Sequence, residues 1–189
     1  WFQVRIVLFL DLKCIEIKSC NVEVFNYLDS SLSYKFKSNN FYYCLFNDLG
    51  LIYLTVFDDL EKAIQFIKEA AFNEYPFGQN NYALLCQFYL NKIDDAEYMF
   101  KKASKQKFAI SEYNLGFLNE SIEKVEESIE YYIKVSEDED EPLMFHNIEH
   151  DDKRLEISKI FIIGLANLKL TEYFLWKKIQ KTQENILLN

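Results

Sequence analysis

His146 and His150 stand four residues apart, a spacing that would put both imidazoles on one side of a helix, and Glu149, Asp151 and Asp152 lie beside them. This is the one local cluster in the chain with metal-ligand chemistry. It directly follows the run Glu137-Asp138-Glu139-Asp140-Glu141, whose like charges repel and hold a segment open. The expectation is a solvated acidic loop over 137–152 with no metal bound. Catalysis would need a nucleophile, a base and a group to hold developing charge. Against that need the chain offers two His and two Arg, and no Gly-x-Ser-x-Gly, Walker, dinucleotide or His-Glu-x-x-His pattern. The carboxylates Asp48, Glu61, Glu69, Glu97, Glu112 and Glu130 are dispersed as solvated helix faces would be. Cys14, Cys20, Cys44 and Cys86 have no Cys-x-x-Cys spacing and read as reduced core thiols. A non-catalytic protein without cofactor is expected.

The elements that carry these residues follow from composition. The chain has 189 residues, 50% of them apolar and 17% aromatic, enough for a sizeable core. Thirty acidic against 21 basic residues give a net charge of −9, which argues against binding to a nucleic-acid backbone. The aromatic residues sit mostly at helical spacing, as inter-helix packing demands, and lack the neighbouring basic residues of a base-stacking surface. With four Gly and two Pro, few sharp turns are possible, so helix is favoured over a sandwich or barrel. The apolar run Ile6 to Leu10 is too short to span a membrane and is followed by Asp11, so no membrane association and a cytoplasmic location are expected. The first residue is Trp rather than Met, which suggests a piece of a longer protein.

Between about 41 and 142 a 33-residue offset recurs. It links small residues (Gly50, Ala83 and Gly116; Ala63 and Ala96; Ala70, Ala103 and Ser136) and large ones (Leu49, Tyr82 and Leu115; Ile52, Leu85 and Leu118; Phe66, Met99 and Tyr132; Ile67, Phe100 and Ile133). Pro76 and Pro142 are two periods apart. Within each period the apolar spacing is helical and a polar cluster (Asp58-Asp59, Asn91 with Asp94, Asn119 to Ser121) offers N-caps for a second helix. Helix pairs are predicted at 41–57 and 60–73, 78–90 and 92–105, and 109–119 and 121–136, forming an all-α solenoid. An N-terminal capping segment over 1–40, with a helix over 21–36, and a divergent C-terminal helix pair over 153–189 complete the expected organisation.

The segments LGLIY at Leu49 to Tyr53, EKAIQFIKEAA at Glu61 to Ala71, DDAEYMFKKAS at Asp94 to Ser104 and SIEYYIKVS at Ser128 to Ser136 resemble tetratricopeptide repeats and the related SEL-type repeats. The resemblance covers about half of the chain. The family's Gly and Tyr of the first helix are replaced in the middle unit by Ala83 and Cys86, and the joints lack the Gly-rich stretch of the SEL type. It implies stacked antiparallel helix pairs whose first helices line a concave face that binds a protein or peptide. The position two before the conserved small residue points into that groove, which here selects Asp48, Asn81 and Asn114. Amide side chains there can donate to and accept from an extended peptide backbone. Where relatives that clamp a carboxylate carry Lys and Arg, this chain has Leu54, Gln87 and Glu120, so Gln87 joins the candidate groove residues while carboxylate capture is not implied. An adaptor or scaffold is the function expected. The alternatives are a structural subunit of a larger assembly, or a regulatory repeat region of a longer enzyme such as a kinase.

Overall fold

The computed structural model of the chain describes residues 40–137 and 151–187, and these are all-helical, with seven helices and no strand among them. They are α1 (Asn40–Thr55), α2 (Leu60–Phe72), α3 (Pro76–Phe88), α4 (Ile93–Ser104), α5 (Ala109–Ser121), α6 (Val125–Ser136) and α7 (Asp151–Leu187). The expected capping segment, Cys14, Cys20, Pro142, His146 and His150 lie outside the described residues. Contacts divide the chain inside α4 into two compact units, Trp1–Met99 and Phe100–Asn189. In the first, α2 packs on α1 and α3; in the second, α6 packs on α5, and α7 packs on both. None of the described helices is long and apolar enough to cross a membrane.

The helix starts and stops have local causes. Asp59 caps α2, its carboxylate accepting from the Lys62 amide at 3.0 Å. Pro76, expected just past a second helix, opens α3 at a position where its missing N–H is no loss. Two of the expected caps act otherwise. Asn91 does not cap α4; it takes a left-handed conformation (φ 52°) at the joint before it. Asn119 and Ser121 stay in the last turns of α5, bonding back to the carbonyls of Leu115 and Leu118, and the helix runs on to Ser121.

The joints repeat in detail. Left-handed residues occur at Asp58 and Asn91, 33 apart, and at Glu74 and Lys107, also 33 apart. The amides of Asp59 and Lys92 reach back to the carbonyls of Tyr53 and Cys86, and those of Tyr75 and Phe108 to Ala70 and Ala103. The third joint is one residue shorter: its left-handed residue is Glu123, and Lys124 donates to Asn119. Beyond it the register is therefore 32, not 33, and the expected alignment of α6 shifts by one. Burial follows the shifted register. Ala63, Ala96 and Ser128, then Ile67, Phe100 and Tyr132, then Ala70, Ala103 and Val135 are each at most 2% exposed. The expected partners Ser136 and Ile133 are only half-buried.

A non-glycine residue in the left-handed region costs roughly 1–2 kcal/mol. Glu123 is exposed and has φ 63°. Replacing it with Gly is expected to raise stability by about 1 kcal/mol, read as a rise of a few degrees in thermal midpoint. An unchanged or lower midpoint contradicts this joint geometry.

The C-terminal region differs from expectation. Instead of a helix pair, 151–187 is one continuous helix of 37 residues. Its only candidate break, Gly164, costs a helix interior about 1 kcal/mol but does not stop it. No Pro follows, and the flanking Ile162 and Ala166, 3% and 0% exposed, are anchored by packing.

Candidate partner-binding site

In the first unit, polar residues concentrate where α1 faces α3. Asn47, Asn80 and Asn81 are buried, and Asp48 is half-buried. Their side chains form a directional chain of donors. Asn80 Nδ2 donates to Asn81 Oδ1 (3.4 Å), Asn81 Nδ2 to Asn47 Oδ1 (2.8 Å), and Asn47 Nδ2 to Asp48 Oδ1 (3.3 Å). The Cys44 thiol approaches the other Asp48 oxygen at 3.9 Å. Each buried amide thus satisfies its neighbour, and the chain ends on a carboxylate that reaches solvent.

Beside this row lies an apolar recess lined by Leu51, Leu54, Ile67, Asn81, Leu84, Leu85 and Tyr89. Its accessible volume is about 20 Å³, far below the roughly 300–1,000 Å³ of small-molecule pockets. It is a shallow recess that can receive the tip of an apolar side chain and no cofactor. Leu54 and Leu84 are half-buried and Tyr89 is exposed at the mouth, while Asn81 supplies the one polar wall.

Of the sequence-selected residues, the fold brings Asp48 and Asn81 together through Asn47, a link the sequence reading passed over. The signal was present, because Asn47 and Asn80 are themselves 33 residues apart, one position before the pair chosen. Asn81 is more enclosed than an open groove position requires, at 7% exposure. Gln87 lies on the same helix as Asn81, one and a half turns on, half-buried, its Oε1 shielded without a hydrogen-bond partner among the described residues. Asn114 belongs to the second unit, on α5, and is half-buried and engaged in contacts of its own.

The remaining polar groups hold the structure together. Glu112 is not on a solvated face as expected. It is 6% exposed, one period after the fully buried Gln79, and accepts from Ser104 Oγ (2.8 Å) and from Lys134 Nζ. Glu120 accepts from Tyr132 Oη (2.8 Å) and Lys169 Nζ (2.7 Å), tying α5 to α6 and α7. Cys44 and Cys86 are buried thiols that form no disulfide, in keeping with their expected role in the core. Burial, with the neighbouring Cys86, pushes the Tyr82 phenol up to about 12, and burial also raises the Cys86 thiol. Both groups are held neutral and poorly suited to nucleophilic work. Among the described residues, no cluster of three or more His, Cys, Asp or Glu could hold a metal ion. No family model, curated protein or solved structure matches the chain.

Proposed function

We propose that the chain is a non-catalytic helical-repeat protein of tetratricopeptide-like type that recruits a protein or peptide partner, as an adaptor or scaffold. The observation that carries this reading is the pairing of an apolar recess with the amide row ending at Asp48. An extended partner segment would lay the tip of one apolar side chain against Leu54, Leu84 and Tyr89 and direct its backbone or a cationic group towards Asp48. The preorganised amides favour such binding, since little ordering is left to be done on this side of the interface.

Leu54→Arg and Asp48→Ala, made together, are expected to reduce partner capture from a cell extract at least tenfold while helix content stays intact. Both positions are partly solvent-accessible, so the fold tolerates them better than a change at buried Asn81. Undiminished capture by this folded variant contradicts the reading. Assembly into a larger structure is a second reading, favoured by the exposed apolar residues of α7.

A further inference from the structure

We propose that α7 is a self-association element, pairing with α7 of a second copy of the chain through a second apolar stripe. The helix has two such stripes. The inner one, Ile162, Ala166, Lys169 and Tyr173, follows 4-3-4 spacing; Ile162 and Ala166 are buried, Tyr173 is half-buried, and Lys169 reaches Glu120. The outer one, Phe161, Leu165, Leu168, Glu172, Leu175 and Ile179, follows 4-3-4-3-4 spacing, the seam of a coiled coil. It lies one residue out of phase with the inner stripe, about 100° around the helix.

Phe161, Leu168, Leu175 and Ile179 are 48%, 62%, 55% and 55% exposed, and Trp176 at the flank is 55% exposed. Seven of the thirteen exposed large hydrophobic side chains among the described residues fall on this one helix. Overhang adds to the exposure. Thirty-seven helical residues reach about 55 Å, whereas α5 and α6, with 13 and 12, reach about 20 Å. Every residue from 174 to 184 is exposed, and a helical stretch of that length is marginal in water without a partner.

A second copy fits on spacing and area. With roughly half of about 200 Å² open on each large side chain, the five apolar residues come to the order of 500 Å² per copy, or about 1,000 Å² in all, the lower bound for a specific interface. Glu172 selects the direction. Parallel helices would set the two Glu172 carboxylates directly opposite each other in the seam; an antiparallel pair centred near residue 170 sets each against Leu168 and staggers the two by about 6 Å along the axis. A two-fold axis near residue 170 sets Phe161 opposite Ile179, Leu165 opposite Leu175, and Leu168 opposite Glu172 of the second copy.

Sedimentation equilibrium of the 189-residue chain tests this. The expected result is a concentration-dependent mass rising to twice the 22.6 kDa of one chain. The double variant Leu168→Asp, Leu175→Asp is expected to sediment as one chain with its helix signal and unfolding midpoint kept, because both side chains are more than half exposed. Phe174→Ser, off the seam, is expected to leave the dimer intact. Mixing a Phe161→Cys chain with an Ile179→Cys chain should give a mixed disulfide more readily than either chain forms with itself. A wild-type chain that stays monomeric into the high micromolar range, or a double variant that remains dimeric, overturns the proposal. Preferred self-linking of each cysteine chain overturns the antiparallel arrangement.

Discussion

Truncating Tyr132 to Ala is expected to cost about 3–5 kcal/mol, the range for deleting a fully buried aromatic side chain. Tyr132 is 1% exposed; its ring packs 5.4 Å from that of Tyr113 and lies over Gly116, and its hydroxyl donates to Glu120. The contributions separate by substitution. Tyr132→Phe keeps the ring and removes only the hydrogen bond, leaving Glu120 with Lys169, and should cost about 1 kcal/mol. Urea unfolding followed by circular dichroism measures both. A Tyr132→Ala cost below about 1 kcal/mol contradicts the placement of Tyr132 in the position of Ile67 and Phe100.

Gly50→Ala and Gly164→Ala should move stability in opposite directions although each replaces a helical glycine. A Cβ at residue 50 would lie 2.4 Å from Ile67 Cγ1, 3.0 Å from the Ile67 amide nitrogen and 3.1 Å from the Ala63 carbonyl oxygen. Two of those neighbours are backbone, so α1 and α2 must separate, and overpacking of this kind typically costs about 1–3 kcal/mol. The gain of roughly 1 kcal/mol in helix propensity does not offset it. A Cβ at residue 164 meets nothing within 4 Å, and there the same change should stabilise by about 0.5–1 kcal/mol. Equal shifts for the two variants contradict close approach of α1 and α2.

These residues show how far the sequence carries. Six of the seven helices end within three residues of where the apolar period and polar clusters predict. Ala63, Ala70, Ala96 and Ala103, chosen as contact positions from recurrence alone, are all 0% exposed. Recurrence failed where length changed. One residue fewer at the joint before α6 leaves the helix pattern intact, and because Tyr131, Tyr132, Ile133 and Val135 are all apolar, either register reads as amphipathic. Only packing over Gly116 distinguishes Tyr132 from Ile133. The single helix α7 was illegible for a related reason, since a lone Gly in a long apolar-rich segment permits both a break and a continuous helix. In the candidate site, Asp48 and Asn81 were selected through a family resemblance. The Asn47 link that joins them depends on facing helices, which a one-dimensional pattern does not report.

The proposed function stands or falls on whether a polypeptide occupies the recess between α1 and α3. A photo-reactive amino acid placed at Leu54, at the recess, and in a separate chain at Glu61, exposed on α2, tests this directly when the two chains are irradiated in a cell extract. Discrete protein adducts are expected from position 54 and are lost on Asp48→Ala, with none of the same mass from position 61. Adducts equal at the two positions, or absent from position 54 while the folded chain still captures partners, would contradict the proposed function.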